Sequence, residues 1–298
     1  MARLGHYCAD LPRNFSLCTD DGAAKVTSLA LNSRLEERRQ RLGDQLAVFR
    51  RIMRAVLIQD MRTRFGNNHI GYLLAIAWPL AHISIITLAY LVRISVAPIG
   101  DSPTIFVGTA IVPYILCFYP ARMLAQAIQQ NRQLLNIPVI QPVHLIFGRC
   151  ILETVNAVIV LAVFIFAVSL FDVDILPTDV AEASKVIGAA VFLGIGLGIL
   201  NVVMGAILGR YFLTFFTLSM AGLYVTSGAY FPPDAIPPYV REYLVYNPLA
   251  QLIEWMRSAY YASYDPELIN KPLIYWVGGI SLVLGLVGER FLRGKIFS

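Results

Sequence analysis

Long runs of apolar residues leave this chain few folds to choose from. The stretch "TVNAVIVLAVFIFAVSLF", residues 154–171, and the stretch "VIGAAVFLGIGLGILNVVMGAIL", residues 186–208, contain no Asp, Glu, Lys or Arg. A span of about 20 apolar residues matches the hydrocarbon thickness of a bilayer. In lipid every backbone polar group must find a partner inside the protein, which leaves helices and closed barrels. Runs of this length are helical. Six candidate spans emerge: 71–92, 104–121, 145–171, 184–208, 211–230 and 273–287, the last being the shortest. The fold predicted is an all-α membrane protein.

Composition supports this. Apolar residues make up 57% of the chain and charged ones 14%, whereas a soluble domain carries about 25% charged residues. Mean hydropathy is +0.63 and the pI is near 9.0. The basic residues sit beside apolar runs and form no separate domain, so membrane flanks and membrane lipids are expected, not nucleic acid. The four cysteines, Cys8, Cys18, Cys117 and Cys150, form no CxxC pair, and no metal or disulfide is expected from them.

Charge then orients the spans. Basic residues outnumber acids before the first run, Arg122 and Arg132 lie between the second and third, and Arg149 lies near the start of the third. Arg210 lies between the fourth and fifth, and Arg290, Arg293 and Lys295 come after the sixth. The acid-rich stretches "FDVDILPTDVAE" and 231–272 fall on the other side. Six spans with both termini cytoplasmic put every basic connection inside, as the positive-inside rule requires. Residues 1–30 hold no apolar core of signal-peptide length.

Residues 1–43 read as a polar cytoplasmic tail with a short helix around 29–42, and 44–298 as the transmembrane domain. Within the latter, residues 44–65 place Phe49, Ile52, Met53, Val56, Leu57 and Met61 at helical spacing among arginines. This is the pattern of an amphipathic helix lying on the membrane surface. Gly66-Asn67-Asn68 permits a bend into the first span, where Trp78-Pro79 can kink the helix.

Chemistry-bearing motifs are scarce. The one Gly-Lys pair, Gly294-Lys295, lacks the rest of a P-loop. The glycines 194, 196, 198, 205 and 209 lie in an apolar run, where they predict close helix packing and not dinucleotide binding. The histidines are scattered, and Asp172, Asp174 and Asp179 read as a solvated turn. A membrane glycosyltransferase or ligase is therefore the weaker alternative class. A secondary transporter would place ionisable groups at mid-membrane, and these spans lack them away from their ends.

Two motifs carry a family resemblance. "RTRFGNNHIGYLLAIAWPLAHI", residues 62–83, resembles the entry to the first span in permease subunits of ABC-2 polysaccharide exporters. "SGAYFPPDAIPPYVREYLVYNPLAQLIEWMRSAYY", residues 227–261, resembles the segment before the last span in the same family. The capsular-polysaccharide branch fits best, with O-antigen or teichoic acid exporters close behind. The resemblance implies a homodimer in the bacterial inner membrane, pairing with two copies of a separate ATP-binding subunit. It implies export of a lipid-linked polysaccharide, with a periplasmic adaptor and an outer-membrane channel beyond. This chain would then bind no cofactor and hold no catalytic residue, with ATP and magnesium on the partner subunit.

Three sets of candidate residues emerge. Within the polar connection 129–143, residues 129–137 can form a short helix along the membrane surface; the resemblance implies that Gln130, Asn131, Arg132, Gln133 and Asn136 dock on the ATPase, with Arg210 as a smaller contact. An ordinary loop is the plain alternative. Tyr211, Phe215, Tyr224 and Tyr230 are candidate channel-lining residues, since aromatic rings stack on the C–H faces of sugars; lipid-facing belts are the plain alternative. Between the last two spans, Pro232, Pro233, Pro237, Pro238 and Pro248 exclude one continuous helix. Asn247-Pro248 can start a short helix in which Glu254 and Arg257, three apart, pair. The expectation is a re-entrant helical hairpin in which Asn247, Glu254 and Arg257 form an outer gate.

Overall fold

The computed structural model describes residues 43–62, 69–93, 97–171, 175–230, 237–264, 266 and 269–296. The expected helix at 29–42, the Gly66-Asn67-Asn68 joint, Asp172, Asp174, Pro232 and Pro233 lie outside them. The chain divides into two compact units, 1–54 and 55–298. Of the first, residues 43–54 are described, and they are helical with Leu46, Val48 and Phe49 exposed. The helix α1, residues 43–62, continues into the second unit.

In the second unit the described residues are helices and short connections, with no strand among them. They comprise α2 (His69–Arg93), α3 (Pro103–Leu124), α4 (Ala127–Gln130) and a 3-10 turn (Arg132–Asn136). After these come α5 (Pro142–Ser169), α6 (Val180–Leu208), α7 (Arg210–Val225), α8 (Pro238–Leu244), α9 (Pro248–Tyr260) and α10 (Lys271–Ile296). Four of these, α3, α5, α6 and the 271–291 part of α10, are long and apolar enough to cross a membrane. The apolar parts of α2 and α7, Ile76–Val92 and Tyr211–Val225, are shorter.

Helix ends obey local chemistry. Proline occupies the first turn of α3, α5, α8 and α9, where its missing N–H leaves nothing unsatisfied. Asp179 caps α6 by accepting from the Glu182 N–H at 3.0 Å. A single residue, Gly209, joins α6 to α7 at φ +75°; a Cβ there would meet nothing within 4 Å, so the constraint is conformational. Expected and observed lengths differ most for the last helix, which runs 26 residues. Its apolar run ends near Val287, but Ser281 and Glu289 are buried, so the helix continues with a polar residue turned inwards.

The centre is α6, flanked by α3 and α10. Lipid is as apolar as a leucine side chain, so helices in a bilayer associate through close packing and interhelical hydrogen bonds. Both devices are present. A Cβ on Gly194 would collide with the Cys117 carbonyl of α3, and one on Gly196 with the Gly278 carbonyl of α10. On the same helix, buried Asn201 donates from Nδ2 to the Ala121 carbonyl of α3 at 3.2 Å. Gly194, Gly196 and Gly198 therefore do pack helices closely, whereas a Cβ on Gly205 or Gly209 would meet nothing within 4 Å. In contrast, α5 and α10 leave wide apolar faces uncovered, including Val155, Val158 and Phe166 on one and Trp276, Val283 and Phe291 on the other.

Candidate functional site

The first site lies where the last turns of α1 meet the connection between α3 and α5. Val56 and Asp60 are buried there at 1% exposure each. Asp60 is the sole acid between Asp44 and Asp101, and its two carboxylate oxygens are divided between two partners. Arg149 of α5, itself 0% exposed, donates from Nη1 to Oδ2 at 2.9 Å. Asn131 donates from Nδ2 to Oδ1, and also to the Ala127 carbonyl at 3.1 Å. The second arm of the Arg149 guanidinium donates to Gln130 Oε1, and Gln130 Nε2 donates to Gln126 Oε1 at 2.7 Å. A buried charge pair is tolerated when hydrogen bonds satisfy its remaining sites; here Asn131 supplies one to the carboxylate and Gln130 accepts one from the guanidinium.

The connection itself is not one short helix over 129–137. It breaks at Asn131, whose backbone sits at φ −113°, ψ 21°, because that side chain is drawn inward to Asp60. The chain then enters the 3-10 turn, which ends before Pro138. Residues 132, 133 and 136–139 are exposed, with Ile137 and Val139 about half uncovered, while Ile140 is buried again. The five candidate residues thus divide into two faces. Asn131 turns inward to Asp60 and Gln130, itself exposed, bonds Arg149 through its side chain, whereas Arg132, Gln133 and Asn136 lie on the exposed stretch. Arg210 begins α7, and its side chain lies outside the described residues.

The second site surrounds α9. Asn247 caps it, accepting from the Leu249 and Ala250 N–H groups at 3.0 and 3.4 Å. Its own amide donates to the Leu223 carbonyl near the end of α7 at 2.8 Å. Glu254 and Arg257 lie 3.5 Å apart with side chains 1% and 0% exposed. The guanidinium stacks 4.3 Å from the centre of the Phe106 ring and donates to the Ala229 carbonyl at 3.3 Å. Tyr264 donates its hydroxyl to Glu254 at 2.5 Å. Further along, Gln251 Nε2 donates to the Val245 carbonyl, and the Ala259 carbonyl accepts from the Asp179 N–H at the start of α6. Tyr261, just past α9, packs against Gly100, and burial pushes its hydroxyl up to about 12 against the pull of Arg257. Helix α9 is therefore held from α3, α6 and α7 together.

Of the four candidate aromatics, Tyr211 and Phe215 are exposed on α7, whereas Tyr224 is buried and Tyr230 half-buried. Tyr224 stacks on Tyr114 of α3 at 4.3 Å between ring centres and meets Tyr230 edge-on at 5.8 Å. The row of rings continues through Phe118 and Tyr119, and reaches His82 of α2, whose Nδ1 lies 3.3 Å from the Tyr119 hydroxyl. Sequence reasoning missed Tyr114, Phe118, Tyr119 and His82. The triple "FYP", 118–120, inside an apolar run was the available signal. It missed Asp60 and Arg149 as well, although a lone acid among arginines stood out. Among the described residues no three His, Cys, Asp or Glu side chains gather as metal ligands would.

The chain is similar over most of its length to curated proteins. It is 26% identical to the polysialic acid transport protein KpsM of Escherichia coli over 234 residues, 78% of this chain and 90% of that one. It is also 26% identical to the capsule polysaccharide export inner-membrane protein CtrC of Neisseria meningitidis serogroup B over 271 residues, 84% of this chain and 95% of that one. No family model matches. The resemblance carried by the two motifs thus extends across the greater part of the sequence.

Proposed function

We propose that this chain is the membrane-spanning permease subunit of an ATP-driven exporter that moves a capsular polysaccharide across the bacterial inner membrane. The observation that carries this reading is the similarity, over most of both chains, to proteins named for polysialic acid transport and for capsule polysaccharide export at the inner membrane. The helical structure with four long apolar helices and two shorter ones supports a channel-forming role. In this reading α2 and α7 complete six spans, both termini are cytoplasmic, and α8 and α9 form a re-entrant hairpin entering from the periplasm. Two copies line one path. Two copies of a separate ATP-binding subunit supply hydrolysis, with nucleotide and magnesium held there. A periplasmic adaptor and an outer-membrane channel carry the lipid-linked chain onward.

Residues take roles within that scheme. The exposed stretch 132–139 carries Arg132, Gln133 and Asn136 beside apolar Ile137 and Val139, a mixed surface suited to docking on the ATP-binding subunit, with Arg210 as a minor contact. Tyr211 and Phe215, exposed on α7, face the path together with the ends of the Tyr224–Tyr230 row, where rings stack on sugar faces. Asn247, Glu254 and Arg257 hold α9 in shape at the outer mouth. The test is genetic and biochemical. A strain lacking the gene loses surface polysaccharide and regains it on complementation, and the purified chain hydrolyses ATP only with its ATP-binding partner. Normal surface polysaccharide in the deletion strain, or turnover by the contaminant-free chain alone, overturns the reading.

A further inference from the structure

A segment that transmits force must be anchored, and the anchors of the 132–139 stretch are visible. At its far end, buried Ile140 and Pro142 lead directly into α5. At its near end stands Asn131, buried immediately before exposed Arg132. The Asn131 side chain bonds across the molecule to Asp60, 71 residues earlier. The other oxygen of the same carboxylate takes Arg149, 89 residues later, on the helix that the far end enters. Both ends of the exposed stretch therefore converge on one buried carboxylate. Arg149 closes the circuit by reaching back to Gln130, the neighbour of Asn131. Every member of the circuit is a side chain with a fixed hydrogen-bonding geometry, and the charge pair at its centre is sealed from water.

We propose that Asp60 is a positioning residue that locks the end of α1 to the 127–139 connection and to α5, so that displacement of the docked surface moves these three elements as one body. The proposal rests on the reading of 132–139 as the surface that meets the ATP-binding subunit. It assigns Gln130 and Asn131 to transmission inside the permease, not to contact with that subunit. The lock thus ties the docked surface to the end of α1 as well as to α5.

Asn131→Ala separates the two roles, because it removes the direct bond from the connection to Asp60 while leaving the Asp60–Arg149 pair and the Arg149–Gln130 bond in place. The complete exporter is expressed in a strain lacking the native gene, and four quantities are measured: permease in the membrane, copurified ATP-binding subunit, ATP hydrolysis and surface polysaccharide. The expected result is permease level, copurification and hydrolysis within about twofold of the unmodified protein, with exported polysaccharide per ATP hydrolysed reduced at least about fivefold. Unchanged export per ATP in Asn131→Ala overturns the lock. If that variant does not accumulate, Asp60→Asn decides the question by the same ratio, since it keeps the side chain's size and one acceptor. The control arm is Ile137→Asp on the exposed stretch, which loses copurification if that stretch docks. Unchanged copurification there overturns the docking reading and the lock with it. Lost copurification there, with normal coupling in Asn131→Ala, overturns the lock alone.

Discussion

Two buried arginine–carboxylate pairs sit in different parts of this chain and differ in kind. Glu254 and Arg257 belong to one helix, three residues apart, so the backbone of α9 alone brings them together. Asp60 and Arg149 belong to separate helices 89 residues apart, and only the packing of α1 against α5 makes them meet. The first pair is secured from outside by Phe106, Ala229 and Tyr264. The second is itself what secures a loop, through Gln130 and Asn131. A local pair needs its surroundings to bury it, whereas a long-range pair defines those surroundings.

The largest expected effects come from leaving one charge of either pair alone. Arg149→Leu and Arg257→Leu each strand a buried carboxylate, and each is expected to cost about 3–5 kcal/mol, read as a lowered unfolding midpoint of the detergent-purified protein. If Arg257→Leu costs less than about 1 kcal/mol while Arg149→Leu costs the full amount, the two pairs are not equivalent in burial energy and the comparison fails.

Replacing both members sharpens the contrast. The double variant Glu254→Leu with Arg257→Met regains part of the stability, because apolar groups of similar volume replace a buried pair at little cost, while Tyr264 and the Ala229 carbonyl each lose a partner. The corresponding Asp60→Leu with Arg149→Met recovers less, since buried Asn131 loses its carboxylate partner at about 1–3 kcal/mol. Equal recovery in both double variants removes the distinction between a local pair and a network.

A change away from both pairs sets the scale of simple packing. Gly196→Ala drives a methyl group into the Gly278 carbonyl and is expected to cost about 1–3 kcal/mol, whereas Gly205→Ala, with open space around it, is tolerated. Similar unfolding midpoints for the two variants remove the packing account of α6. The smallest effect belongs to the cap of α9. Asn247→Ala is expected to cost about 1 kcal/mol, and Asn247→Asp, which keeps the acceptor for Leu249 and Ala250, less; the order reverses only if the bond to Leu223 dominates.

The start of α9 at Asn247-Pro248 and the Glu254–Arg257 pairing were legible in the sequence, because both depend on residue type and spacing within one helix. So were the places of the apolar helices and the tight role of Gly194, Gly196 and Gly198. The break at Asn131 was not legible, since its cause is a carboxylate 71 residues away. Nor was the inward turn of Tyr224, whose neighbour Tyr114 lies on another helix. The chemistry of ring stacking on sugars put the aromatics in and around α7 into one group, and packing separated exposed Tyr211 and Phe215 from buried Tyr224.

The sequence alone determined that this chain is helical and apolar, and the two motifs, 62–83 and 227–261, pointed to its relatives. Those properties come from residue type and short spacing, which act wherever the chain lies. Tertiary structure decided which residues of the 129–143 connection face outward and which turn in, which aromatics stack, and which arginine answers Asp60 of α1. Each of those is a choice among many chemically equivalent partners. Arg54, Arg62 and Arg64 all lie far closer in sequence to Asp60 than Arg149 does, and only the burial of one guanidinium beside that carboxylate selects between them.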